Sequence, residues 1–110
     1  MGRWRGINIV LLFLITASVY HVKFHNRGTK SGDRYDHYKG YTCAADLTRF
    51  PIGTMIAVTY NGKRIVVRVN DRIGTHKKRL DLSGRAMKDL TGSWKPVLID
   101  VDAKVLKPDF

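Results

Sequence analysis

The stretch Met55-Ile56-Ala57-Val58-Thr59-Tyr60-Asn61-Gly62-Lys63-Arg64-Ile65-Val66-Val67-Arg68-Val69 decides the fold. Asn61-Gly62 is the strongest two-residue hairpin signal, and apolar residues alternate on both sides of it. A two-residue loop sets Tyr60 opposite Lys63, Val58 opposite Ile65 and Ile56 opposite Val67. Ile56, Val58, Ile65 and Val67 then share one apolar face, and Thr59, Arg64 and Arg68 lie on the other.

Outward from the hairpin the chain reads as further short elements. Pro51-Ile52-Gly53-Thr54 is a turn that opens the first arm. Asn70 to Arg79 reads as a loop containing Gly74. Ser83 is an N-cap for a short helix from Gly84 to Leu90, with Gly92 just past its end and Met87 and Leu90 as its buried contacts. Val97, Ile99 and Val101 alternate with Asp100 and Asp102 and predict a last strand. Residues 24–40 are polar and turn-rich (Asn26, Gly28, Ser31, Gly32, Asp33, Gly40), as in a linker or a loop-rich start to a domain. Short strands at this density argue for a mainly β small barrel or sandwich.

Composition bounds the function. The chain has 110 residues, one domain's worth, with 20 Lys+Arg against 9 acidic residues and a net charge of +11. Every acid is Asp, so any carboxylate chemistry falls to Asp. One cysteine, Cys43, rules out an internal disulfide and a zinc cluster built on thiolates. Neither nucleotide-binding glycine motif occurs, so no cofactor is expected.

Arg3 and Arg5 precede a run from Ile7 to Val22 without Lys, Arg or Asp. As a helix its 16 residues reach roughly 24 Å, short of the ~30 Å hydrocarbon core. A basic start before a short apolar stretch predicts an N-terminal hydrophobic helix serving as a secretory signal or an uncleaved anchor. Thr16-Ala17-Ser18 would be a poor cleavage site. The plain alternative is a buried core helix. The division expected is residues 1–23 for export or anchoring, the anchor lying in the inner membrane through residues 7–22, and 24–110 for the globular domain. Cys43 would be a buried lone thiol in an oxidising compartment.

Four carboxylates surround the hairpin: Asp33, Asp46, Asp71 and Asp81. Asp81 sits between Leu80 and Leu82, and burial there would favour the protonated form that a general acid needs. The same residue could instead buttress the start of the following helix. Lys77, Lys78 and Arg79 act against a proton on Asp81 if they lie near it. Asp71, in Asn70-Asp71-Arg72, equally fits a turn.

Five blocks carry a resemblance: Thr29 to Asp36, Cys43-Ala44-Ala45-Asp46, Phe50-Pro51-Ile52-Gly53-Thr54, Val66-Val67-Arg68-Val69-Asn70-Asp71-Arg72, and Arg79-Leu80-Asp81-Leu82-Ser83. In this order they resemble the rare lipoprotein A family, over about Thr29 to Val101. The resemblance implies a six-stranded double-psi β-barrel with one or two short helices, the fold shared with expansins and membrane-bound lytic transglycosylase A. It implies an envelope protein, periplasmic or anchored, acting on peptidoglycan glycan strands; a monomer is expected. Lytic transglycosylase chemistry would let one acid serve as acid and then base. The position in Asp-Leu-Ser makes Asp81 that acid, with Asp71 stabilising charge or orienting it. Asp46 stands where the family usually has His. Asp33, Tyr35, Arg68, Arg72 and Ser83 would contact substrate, and no metal is implied. The chain also departs from the family in reading Ile73-Gly74 where Gly-Pro is usual.

Charge and aromatic residues supply the rivals. Lys63 to Lys88 holds nine Lys+Arg and two Asp, which suits an anionic wall polymer or, equally, nucleic-acid phosphates. No recognition helix, zinc finger or RNA-binding motif is present, and the export segment argues against a nucleic-acid partner. The second reading is an expansin-like, non-cleaving glycan binder. Tyr35, Tyr38, Tyr41 and Trp94 either stack on sugar rings or belong to the core. Small size and an N-terminal anchor would also suit a phage lysis or entry protein.

Overall fold

The computed structural model describes residues 12–74 and 78–106. Along the chain run β1 (Leu12–Val19), β2 (Thr42–Ala45), β3 (Met55–Tyr60), β4 (Lys63–Arg72), β5 (Arg79–Leu82), α1 (Gly84–Thr91) and β6 (Ile99–Leu106). A 3-10 turn at Val22–Phe24 follows β1. The strands close into a barrel in the order β1-β5-β2-β4-β3-β6. β1 runs parallel to β5 and antiparallel to β6. β2 runs parallel to β4 and antiparallel to β5.

The hairpin has the expected register, with Ile56 opposite Val67, Val58 opposite Ile65 and Tyr60 opposite Lys63. Asn61 and Gly62 take φ of 51° and 79°, both left-handed, as a two-residue turn matched to strand twist requires. Ile56, Val58 and Val67 join Ile15, Ala17, Cys43, Val69, Leu80, Leu82 and Val101 in one core. α1 covers it with Ala86, Met87 and Leu90. Ser83 caps the helix by accepting from the Ala86 N–H, and Gly92 ends it at φ 81°. Burial pushes the Cys43 thiol up to about 12.

Several elements differ from the sequence reading. From Leu12 onward the apolar run is not a hydrophobic helix but β1, paired on both sides. Ile15 and Ala17 are buried while Leu14 is 69% exposed, the two-residue alternation of a strand. Thr16 lies on the outer face and donates to Asp100. The barrel therefore begins before residue 24, and cleavage at Thr16-Ala17-Ser18 would cut β1. Residues 1–11, where the rest of the expected export segment falls, lie outside the described residues. Among the described residues no helix is long and apolar enough to cross a membrane. The loop expected from Asn70 to Arg79 is shorter, because β4 continues to Arg72 along β2. The last strand starts at Ile99, later than Val97, and extends to Leu106.

The segment between β1 and β2 is pinned from beneath. The buried Tyr35 hydroxyl donates to the Tyr20 carbonyl at 3.0 Å, accepts from the Gly84 N–H at 3.1 Å and bonds His37 Nδ1 at 2.8 Å. His37 is 5% exposed, and a Cβ on Gly84 would stand 2.4 Å from its ring. Glycine is needed there for this close approach. Burial lowers the His37 pKa, with His25 and His21 adding to the effect against opposing pulls from the Tyr20 backbone and Asp36.

Three outcomes follow from this packing. Deleting residues up to Val19 leaves β5 and β6 without their shared partner, so the cooperative thermal transition is expected to disappear in circular dichroism. Gly84→Ala is expected to lower the unfolding free energy by roughly 1–3 kcal/mol in denaturant titrations, the cost of overpacking, although alanine is the better helix former. The unfolded chain takes up a proton on His37 near 6.5 and the folded chain resists it, so stability is fullest above that pH and falls as pH drops below it. The slope of stability between pH 7 and pH 5 is expected to be shallower in His37→Gln, as followed by chemical denaturation.

Candidate active site

The two carboxylates assigned to chemistry meet across β2. Ala44 is the register partner of Asp71 on β4 and of Asp81 on β5. The acids thus flank one residue of the intervening strand, at about two strand spacings, or ~10 Å between Cα atoms. The β2–β4 register shifts between Cys43 and Ala44, passing over Asn70. This irregularity brings Asp71 rather than Asn70 opposite Ala44.

β1 joins them. Ser18 is the partner of Asp81 in the parallel ladder and donates its hydroxyl to Asp81 Oδ1. Tyr20, two residues on, donates to Asp71 Oδ2 at 2.5 Å. Asp71 Oδ1 accepts from the N–H groups of Lys30 at 3.0 Å and Arg72 at 2.9 Å. Arg79 Nε donates to Asp81 Oδ1 at 3.0 Å. Burial, then the bond to Asp71, then charge on both acids raise the Tyr20 pKa above the ordinary tyrosine range. Tyr20 is therefore a neutral hydrogen-bond donor at physiological pH.

Tyr20, Arg79 and Asp81 border an open cleft of about 350 Å³, lined also by Val19, His21, Phe24, Arg72, Ile73 and Gly74, and Asp71 lies behind its wall, bonded to Tyr20 and Arg72. A larger cavity of about 550 Å³ lies between the hairpin turn and α1, lined by Lys63, Arg64, Ile65, Arg85, Lys88, Asp89 and Gly92. Neither Asp71 nor Asp81 lines it, whereas Asp81 lines the smaller cleft, which is therefore the candidate site. Among the described residues no group of three or more His, Cys or Asp side chains is placed to hold a metal.

The remaining expected site residues divide. Arg72 lines the cleft. Asp33 forms an ion pair with Arg68, which holds the Asp33 carboxyl below its ordinary value. Their loop is tied beside the site by the bond from the Ser31 N–H to the Asn70 carbonyl at 3.0 Å. Asp46 is buried and turns the chain after β2, accepting from the Thr48 N–H and hydroxyl at 3.0 and 2.8 Å. Tyr35 and Ser83 are corrections. Both are buried, and the Ser83 hydroxyl donates to the Gly40 carbonyl while accepting from Ala86, so neither offers a surface to substrate. The leucines beside Asp81 also do not enclose it. They face the barrel and are fully buried, whereas Asp81 keeps a 16% exposed side chain on the other face. Lys77 lies outside the described residues.

Sequence reasoning missed Ser18 and Tyr20. Their signal was present in Ile15-Thr16-Ala17-Ser18-Val19-Tyr20, where polar residues fall on alternate positions, but the adjoining apolar run hid it.

Comparison with known proteins agrees with this fold. A double-psi β-barrel family model described as lytic transglycolase matches residues 15–101, beginning inside β1. The endolytic peptidoglycan transglycosylase RlpA of Pseudomonas aeruginosa is 42% identical over 76 residues, covering 68% of this chain and 22% of the relative. The probable endolytic peptidoglycan transglycosylase RlpA of Aquifex aeolicus is 39% identical over 94 residues, covering 83% of this chain and 40% of the relative. The chain thus spans less than half the length of either. Among solved structures, Streptomyces papain inhibitor superposes with a TM-score of 0.71 at 18% identity, over 88% of this chain and 96% of that one. A Clavibacter michiganensis expansin does so with a TM-score of 0.69 at 19% identity, over 88% of this chain and 51% of that one. At such identities the likeness is one of fold. The sequence matches and the barrel together show that the chain belongs to the RlpA-like double-psi β-barrel family of lytic transglycolases.

Proposed function

We propose that this chain is a peptidoglycan lytic transglycosylase that cleaves the bond from N-acetylmuramic acid to N-acetylglucosamine. The observation that carries the proposal is the pair Asp71 and Asp81 flanking Ala44 at the cleft, each held by a hydroxyl of β1. The RlpA relatives support the substrate class.

In this reading Asp81 is the general acid. Its Oδ1 is engaged by Ser18 and Arg79, so Oδ2 is the oxygen that delivers the proton to the glycosidic oxygen. As that C–O bond breaks, positive charge develops at the sugar's anomeric carbon and Asp71 stabilises it. The muramic acid 6-hydroxyl then attacks that carbon, and Asp81 takes its proton. The product ends in a 1,6-anhydro ring, water is not consumed, and Asp81 returns to its starting state. Arg72 and Arg79 give the cleft a positive rim for an anionic polymer. Tyr20 acts as a positioning residue through Asp71.

The reading puts the barrel in the cell envelope, where the polymer lies. Any export or anchoring role falls on the segment before Leu12. A monomer is consistent with closure, because among the described residues every strand is paired on both sides and leaves no edge for another chain. A second reading, a non-cleaving glycan binder like an expansin, draws on the bond from Arg79 to Asp81, which occupies one oxygen of the acid.

Mass spectrometry of soluble fragments from purified peptidoglycan tests both readings. Fragments with 1,6-anhydro ends are expected from the wild-type chain. Their release is expected to fall roughly a hundredfold or more in Asp81→Asn, with thermal stability and co-sedimentation with the wall retained. Full activity in that variant removes Asp81 from the chemistry. Reducing ends would mean hydrolysis, and co-sedimentation without any fragments would establish the binder.

A further inference from the structure

Of the aromatic residues outside the cleft, two are placed to bind. Tyr35 is buried, and the Tyr41 hydroxyl is engaged by Asp89 and Arg85. Tyr38 and Trp94 are 49% and 40% exposed, yet their rings are in contact, with centroids 5.7 Å apart and planes inclined at 55°. They are fixed from below. The buried His37 ring meets Tyr38 edge-on at 4.9 Å and lies 5.9 Å from Trp94. His25 meets Tyr38 edge-on at 5.0 Å. The loop carrying Trp94 is tied by bonds between Thr91, Ser93 and Lys95.

We propose that Tyr38 and Trp94 form a distal platform that holds the glycan strand where it leaves the cleft. The inference rests on the reading of the substrate as a peptidoglycan glycan. The C–H groups on one face of a pyranose ring carry partial positive charge and pack on the negative face of an aromatic ring. Two rings already ordered by packing bind without a further ordering cost. The platform lies near the cleft, joined to its wall through the buried rings of Tyr35 and His37. Tyr20 and Phe24 line the cleft, and ring contacts lead from Tyr20 to Tyr35 at 4.5 Å, to His37 at 5.8 Å and to Trp94 at 5.9 Å. A polymer bound at the carboxylates needs only a few more sugar units to cover that span. Lys39 and Lys95 follow the two rings in sequence and are exposed, where they meet the anionic groups of such a strand.

The test uses the full chain with glycan strands freed of stem peptides and sorted into long strands and tetrasaccharides. Trp94→Ala and Tyr38→Ala are each expected to raise KM for long strands roughly tenfold, the effect of losing one stacking face. kcat should be unchanged, as should both constants for the tetrasaccharide, and Trp94→Phe should restore the long-strand KM. An unchanged long-strand KM, or an equal loss on both substrates, overturns the platform. Binding is read separately from cleavage in Asp81→Asn, by tryptophan emission on adding long strands, with Trp94→Phe in the same background leaving only Trp4. A shift that requires Trp94 supports the platform even if the wild-type chain cleaves nothing, a result that would remove the transglycosylase reading alone. No shift overturns the platform even if cleavage is normal, or if Trp94→Ala fails to fold.

Discussion

The insertion of β1 between β5 and β6 is the constraint on which the rest depends. It closes the sheet, since β5 and β6 have no direct pairing and meet only through β1. It also supplies the hydroxyls that hold both acids, through Ser18 to Asp81 and Tyr20 to Asp71. One strand therefore contributes to stability and to the site through alternate residues. Ile15 and Ala17 fill the core, while Ser18 holds Asp81 and the chain just beyond it, Val19 and Tyr20, lines the cleft. Under the proposed mechanism, a change that loosens β1 acts on the chemistry as directly as a change at the carboxylates.

The legible part of the sequence was the local part. Asn61-Gly62, the alternation around it, and the Ser83 and Gly92 caps are short-range signals, and each gave its element with little change of boundary. β1, β2 and β5 were not legible in that way. Thr42–Ala45 and Arg79–Leu82 are four residues each, too short for alternation to stand out, and they exist because neighbours hydrogen-bond them on both sides. β1 failed for a different reason. Its first residues are apolar on both faces, and Leu14 is exposed, so hydropathy suggested a membrane segment where pairing makes a strand. The motif blocks carried the site further than periodicity did. They pointed to Asp71 and Asp81, which the strands set on either side of Ala44, but not to the residues of β1 that bind them.

The same distinction explains the misassigned polar residues. Tyr35 and Ser83 lie in or next to recognisable blocks, and a motif does not distinguish a residue that touches substrate from one that holds the frame. The geometry does. Tyr35 shares its hydroxyl among Tyr20, His37 and Gly84, which couples the wall of the cleft to the first turn of α1. That coupling requires a glycine at position 84, because the His37 ring occupies the space where a Cβ would project.

A chain whose acids are all Asp has little side-chain reach with which to correct a misplaced backbone. An aspartate carboxylate stays close to its Cα, so strand register has to place it. The irregularity in the β2–β4 pairing does this by passing over Asn70 and setting Asp71 opposite Ala44. In a uniform ladder the residue after Val69 would take that place, and it is Asn70, an amide that bears no charge to offer a developing cation. In the proposed mechanism, the difference between a carboxylate and an amide beside the cleft is thus written in the register of two strands. It is maintained by what fixes that register: the hairpin on one side, and β5, held by β1, on the other.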